Sequence, residues 1–186
     1  MSDCVQFRFS LPAAVWLTFV LFFDRSGGAV YSICAAAFHE CGHLCVLFLL
    51  HDKPKTVSFG AFGMRIEQQG SLTLSYGQEF LVALAGPVCN LLLGMILLFS
   101  HLRMAAGINF ALALFNLLPL RPMDGGQMLH ALLCRKLSQE RADKICKKIA
   151  VCGAFPLTAI GVWVLVRGGN YSLLLSSLYV VSLLLP

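Results

Sequence analysis

The chain has 186 residues, 58% of them hydrophobic and 12% charged, with a mean hydropathy of +0.79 and a formal charge of +5. That balance lies far outside the range of soluble globular domains and identifies a membrane protein. The positive charge calls for no nucleic-acid partner, because membrane topology accounts for it.

Six apolar stretches are predicted: Leu11 to Phe23, Ala29 to Leu50, Phe80 to Ser100, Ile108 to Leu120, Ile149 to Val166 and Tyr171 to Leu185. A helix crossing the hydrocarbon needs about 20 residues, so the first and fourth are short and are expected to be completed by neighbouring residues or packed inside the bundle. The first is expected to stay as a helix rather than be removed as a signal peptide. It has no A-x-A-like site and ends on Asp24-Arg25. Between the second and third stretches, Lys55 to Glu67 is β-prone and interrupted by glycine, which predicts a small hairpin or strand element. Such strands must face protein or the membrane interface, since an open sheet edge is not tolerated in lipid. The predicted fold is therefore an all-α membrane protein. It is a polytopic bundle of about six transmembrane helices, with that small β element between helices two and three, forming one membrane-embedded domain over residues 1–186.

With a cytoplasmic N-terminus and six crossings, Arg8, Lys53, Lys55, Arg65, Arg121, Arg135, Lys136, Arg141, Lys144, Lys147 and Lys148 fall inside, and Arg25, Arg103 and Arg167 fall outside. The asymmetry has the direction that the positive-inside rule demands. Residues 121–148 then read as one of the two longest polar stretches, with the basic cluster at 135–148 as a short cytoplasmic connector. Five of the eight cysteines, Cys34, Cys41, Cys45, Cys89 and Cys152, lie within apolar stretches without a disulfide framework, and are read as free thiols that pack as small residues.

The second stretch contains His39-Glu40-Cys41-Gly42-His43, an H-E-x-x-H pattern flanked by apolar sequence and hence on a helix. Histidines four residues apart project from one face about 5–6 Å apart at Cβ, which suits two imidazoles on one zinc ion. Glu40 is rotated about 100° from His39, near enough to act on water at that ion without being a ligand. Ionisable groups concentrated in a membrane segment are costly to bury and by default mark a functional site. Catalytic zinc takes three protein ligands and keeps one position open. Cys41 and Cys45 lie about 200° around the helix from His39 and His43 and cannot share their ion. Asp124 follows Asn116-Leu-Leu-Pro119 and precedes Gly125-Gly126, where prolines end a helix and the broken backbone lets a carboxylate turn inward. D-G-G is also an ordinary turn signal, so a solvated aspartate at the cytoplasmic boundary accounts for the same residues.

His39-Glu-Cys-Gly-His43, then Gly86-Pro87-Val-Cys-Asn90, then Asn116-Leu-Leu-Pro119 with Asp124-Gly125-Gly126 resemble, in order and spacing, the motifs of the site-2 protease family of intramembrane metalloproteases. The resemblance covers roughly residues 30–135, the expected catalytic core. It implies Zn2+ held by His39, His43 and Asp124, and Glu40 as the group that activates water. It also implies a membrane-anchored protein substrate, unwound and presented to a strand before Tyr76, with Asn116 near the substrate path. The chain is similar to the sporulation-type branch that releases a membrane-tethered sigma factor. It is expected to lack the cystathionine-β-synthase-like domain of some members and any PDZ domain, which leaves regulatory membrane proteins as potential partners. A bacterial cell membrane is the expected location.

Asn90 and Asn116 read first as interhelical glue. Gly86, Pro87 and Gly94 read as permitting close helix approach and a kink, Glu79 as complementing a helix N-terminus, and Trp16, Trp163, Tyr171 and Tyr179 as interfacial anchors. The competing function is a non-catalytic metal-binding membrane scaffold, against which the intact Glu40 speaks. A metal transporter would string polar sites across the bilayer. A protease of the prenyl-protein type would place a third-ligand Glu in a later apolar segment, where this chain has none.

Overall fold

The computed structural model describes residues 6–9, 27–50, 54–60, 63–68, 74–120, 123–167 and 174. The predicted first stretch lies outside them, as does all but one residue of the sixth. The described residues are mostly helical, in the order β1 (Gln6–Phe9), α1 (Gly28–Leu49), β2 (Pro54–Gly60), β3 (Gly63–Gln68), α2 (Tyr76–Phe99), α3 (Arg103–Asn116), α4 (Asp124–Cys134) and α5 (Gln139–Val166). In backbone terms β2 pairs in parallel with β1, Val57 opposite Phe7, and antiparallel with β3, Val57 opposite Ile66.

Among the described residues three helices, α1, α2 and α5, are long and apolar enough to cross a membrane. At 14 residues α3 spans only about 21 Å, short of a hydrocarbon core of about 30 Å. The outward faces of the helices are apolar, with Phe99 of α2 and Phe155 and Val166 of α5 79–84% exposed, whereas the buried positions are dominated by alanine: Ala35, Ala83, Ala105, Ala106, Ala113, Ala131 and Ala150. This inversion is what lipid demands. Apolar side chains gain nothing by leaving hydrocarbon, and small residues let backbones approach closely.

The helix at the centre is α2, which packs against α1, α3 and α4. It starts at a capping box. Ser75 Oγ accepts from the Gln78 amide at 3.4 Å, Gln78 Oε1 accepts from the Ser75 amide at 2.8 Å, and Glu79 sits in the positive first turn. Against α1, Gly42 is in contact with α2, where an added Cβ would stand 2.8 Å from the Ala85 carbonyl oxygen. Against α3, a Cβ on Gly94 would meet the Phe110 ring at 2.8 Å, so the predicted close approach at Gly94 is present. Pro87 is buried inside α2 without ending it.

After α3 the backbone leaves the helix at Leu117–Leu120, with tight bonds from Leu120 N to Leu118 O and from Met123 N, just before α4, to Leu120 O, both 2.7 Å. Leu120 and Met123 bury themselves against Ala150 and Ala154 of α5, and a Cβ on Gly153 would lie 2.6 Å from Leu120 Cδ2. The irregular segment is thus packed in protein, as a break at membrane depth must be. One expectation is corrected here. Residues 121–148 are not a plain polar stretch, because α4 occupies Asp124–Cys134 and α5 begins at Gln139 behind the N-cap Ser138. Arg135 and Lys136 lie on the exposed turn that follows the helical repeat of Met128, Leu129, Leu132 and Leu133, and Arg141, Lys144, Lys147 and Lys148 are exposed on the first turns of α5.

Candidate metal centre

Three polar side chains converge where α1, α2 and α4 meet. His39 and His43, one turn apart on α1, and Asp124, the first residue of α4, are all buried, at 5%, 7% and 8% exposure. His39 Nε2 lies 2.9 Å from Asp124 Oδ2, His43 Nε2 lies 3.5 Å from the same oxygen, and the two Nε2 atoms are 3.1 Å apart. Residues 85 positions apart in sequence therefore form one triangle of donors. Among the described residues no other group of His, Cys, Asp or Glu side chains has three donor atoms so close together.

The tautomer of His43 is set by its other nitrogen. Nδ1–H donates to the Val82 carbonyl of α2 at 2.7 Å, so Nε2 carries the lone pair that faces His39 and Asp124. Two imidazole nitrogens and a carboxylate oxygen aimed at one point repel or compete for protons unless a cation sits among them. The separations fit one. Ligands about 2.0–2.1 Å from a tetrahedral zinc are about 3.3–3.4 Å apart, and the observed edges of 2.9, 3.1 and 3.5 Å bracket that value. Nitrogen and carboxylate donors in a tetrahedral arrangement suit zinc, with a fourth position left over.

The neighbouring backbone is shaped to this cluster. Gly86 of α2 faces the two imidazoles: a Cβ there would stand 2.7 Å from His39 Nε2 and from His43 Cε1, and closer still to His43 Nε2. Gly125 presses on the Leu117 carbonyl, so that α4 can start directly against the end of α3 and carry Asp124 inward. Asp124 also lies in the first turn of α4, where the helix dipole favours a carboxylate. Glu40 is half-buried beside His39. Cys41 and Cys45 are exposed on another face of α1, away from the donors.

The predicted residues His39, His43 and Asp124 are thus brought together, and Asn116 is not among them. Asn116 is half-buried and its Nδ2 donates to Leu112 O of its own helix at 3.1 Å. Asn90 is fully buried, and neither atom of its amide has a hydrogen-bond partner among the described residues. The interhelical-glue reading of these two amides therefore finds no bond to support it here. The close helix approach expected at Gly86 is present, and the groups it admits are the donor imidazoles themselves.

The Peptidase family M50 model matches residues 98–157, which include Asn116, the break and all of α4. The chain is 28% identical over 138 residues to Stage IV sporulation protein FB of Bacillus subtilis, covering 68% of this chain and 46% of that protein. It is 26% identical over 200 residues to a zinc metalloprotease of Methanocaldococcus jannaschii, covering 91% and 56% respectively. The chain thus spans about half the length of the curated relatives it matches. In fold it is similar to the solved structure of a site-2 protease from Methanocaldococcus jannaschii, with a TM-score of 0.70 at 22% identity over 95% of this chain and 87% of the other.

Proposed function

We propose that the chain belongs to the site-2 protease family, and that it is an intramembrane zinc metalloendopeptidase that hydrolyses peptide bonds of membrane-tethered proteins. The observation that carries the proposal is the buried triangle of His39 Nε2, His43 Nε2 and Asp124 Oδ2, with Glu40 next to it on α1.

In this reading His39, His43 and Asp124 hold Zn2+, which supplies Lewis acidity toward the scissile carbonyl and makes water a nucleophile near neutral pH. Glu40 accepts the proton from the attacking water and returns it to the leaving amine. Val82 fixes the His43 tautomer through its carbonyl, and the helix packing around Gly86 keeps the donors close and excludes bulk water. A helical substrate hides its amides in its own hydrogen bonds, so it must unwind before it is cut. The unwound segment adds to a free strand edge. In the β1-β2-β3 order β2 is occupied on both sides, which leaves β3, Gly63–Gln68, as the edge next to α2 in the chain. Asn116 at the end of α3 is assigned to the substrate path.

The wider reading is one membrane-embedded domain, with its catalytic core at about residues 30–135 and six crossings, in a bacterial cell membrane with the N-terminus cytoplasmic. The sporulation-type branch it resembles points to a tethered regulator such as a sigma factor as the substrate, under the control of further membrane proteins. The test is cleavage of a panel of tagged single-span substrates by detergent-purified protein, with zinc content measured in parallel. Zinc-dependent cleavage is expected. Bound zinc with no cleavage of any substrate would favour the metal-binding scaffold, and absence of zinc binding would defeat the proposal.

A further inference from the structure

A metal-bound histidine almost always donates its second ring N–H to an acceptor that holds the ring and raises its basicity. His43 obeys this through Val82. For His39 the corresponding atom, Nδ1, is buried and has no partner among the described residues. In the same helix packing there is a second orphan: Asn90, 0% exposed, whose Nδ2 and Oδ1 are both unpartnered. Leaving a buried amide unpaired costs about 1–3 kcal/mol, so two such groups near each other invite pairing.

Their positions allow it. A helical side chain leans toward the N-terminus of its helix and covers the turn before it, so Asn90 lies over Gly86. The direction in which Gly86 lacks a side chain is the one filled by the imidazoles, with His39 Nε2 2.7 Å from where a Cβ would stand. The helices run antiparallel, and the contacts step from His43–Val82 to Gly42–Ala85 and His39–Gly86, which puts the next turn of α2, with Asn90, level with Ala35, the turn of α1 toward which the His39 side chain leans. From this geometry we infer that Asn90 is a positioning residue for the metal centre: its carboxamide oxygen accepts the Nδ1–H of His39, directly or through one bridging water, and so presents the Nε2 lone pair to the ion. The inference rests on the metal-site reading above.

The test uses the full-length chain in detergent and measures zinc affinity by competition with a chromophoric chelator, independently of cleavage. Asn90→Ala is expected to weaken zinc binding 10- to 100-fold, and to shift the visible absorption bands of the cobalt-substituted protein. Asn90→Asp, which keeps an acceptor at the same volume, is expected to bind at least as tightly as wild type. Asn109→Ala supplies the control, because Asn109 is an equally buried α3 amide whose Oδ1 is unpartnered but whose Nδ2 bonds its own helix at Ala105 O; it is expected to change neither readout. An Asn90→Ala protein within threefold of wild type would overturn the inference. If that variant does not fold, a tenfold loss of affinity in Asn90→Asp would overturn it instead. Wild-type protein that binds no zinc would defeat the metal reading itself, an outcome distinct from either.

Discussion

Replacing Gly86 by alanine asks whether the helix spacing is set by the donor cluster. The new methyl would lie 2.7 Å from both His39 Nε2 and His43 Cε1, against about 3.5 Å for ordinary contact, an overlap of ~0.8 Å. The rings have little room to withdraw. His43 is tied to Val82 at 2.7 Å, and α1 already touches α2 through Gly42. Overpacking of this kind costs about 1–3 kcal/mol, and each 1.4 kcal/mol is tenfold in binding. Zinc affinity should therefore fall roughly 5- to 140-fold. Chelator competition on the purified full chain reads this directly, with Gly107→Ala as the reference, since a Cβ at Gly107 meets nothing within 4 Å. Unchanged zinc affinity and unchanged thermal stability in Gly86→Ala would show that the imidazoles are not held against α2 as described.

Glu40→Gln should retain zinc and lose cleavage by about 10²–10⁴-fold, the usual contribution of a general base; appreciable turnover by that variant would remove Glu40 from its role. Asp124→Asn should lower zinc content and cleavage together, since it weakens a donor 2.9 Å from His39 Nε2, and zinc retained at wild-type affinity would refute its assignment as a ligand. Gly125→Ala should push α4 away from the Leu117 carbonyl and displace Asp124, which zinc titration detects as weakened binding. Ser75→Ala removes the capping box of α2 and should lower stability in detergent by about 0.5–2 kcal/mol, a loss that a thermal melt would reveal.

Much of the site was legible because its chemistry is local. Four-residue spacing on a helix places His39 and His43 on one face whatever the surrounding fold, and the apolar flanks fix the helix. Asp124 was harder, since only tertiary packing decides whether a D-G-G turn faces solvent or an ion; the resemblance to a known motif order, rather than the residues themselves, favoured the inward orientation that the 2.9 Å contact displays. Helix α4 was obscured because the basic Arg135 and Lys136 that follow it outweighed a short apolar repeat. What stayed hidden depends on atoms facing across helices. Gly86 and Asn90 have the look of ordinary small or polar packing residues, and only the direction of a missing Cβ and two unpaired amide atoms reveal what they face.

The donor triangle joins α1 to the start of α4 across 85 residues of chain and is flanked by a backbone break. An ion held there acts as a removable cross-link. Because it binds the folded state alone, it stabilises that state by RT ln(1 + [L]/Kd), about 2.7 kcal/mol when free zinc is a hundred times Kd. Metal supply would then govern how long the protein persists in the membrane as well as whether it is active, and a chelator would shorten the lifetime of a catalytically dead Glu40→Gln variant as much as that of the wild type.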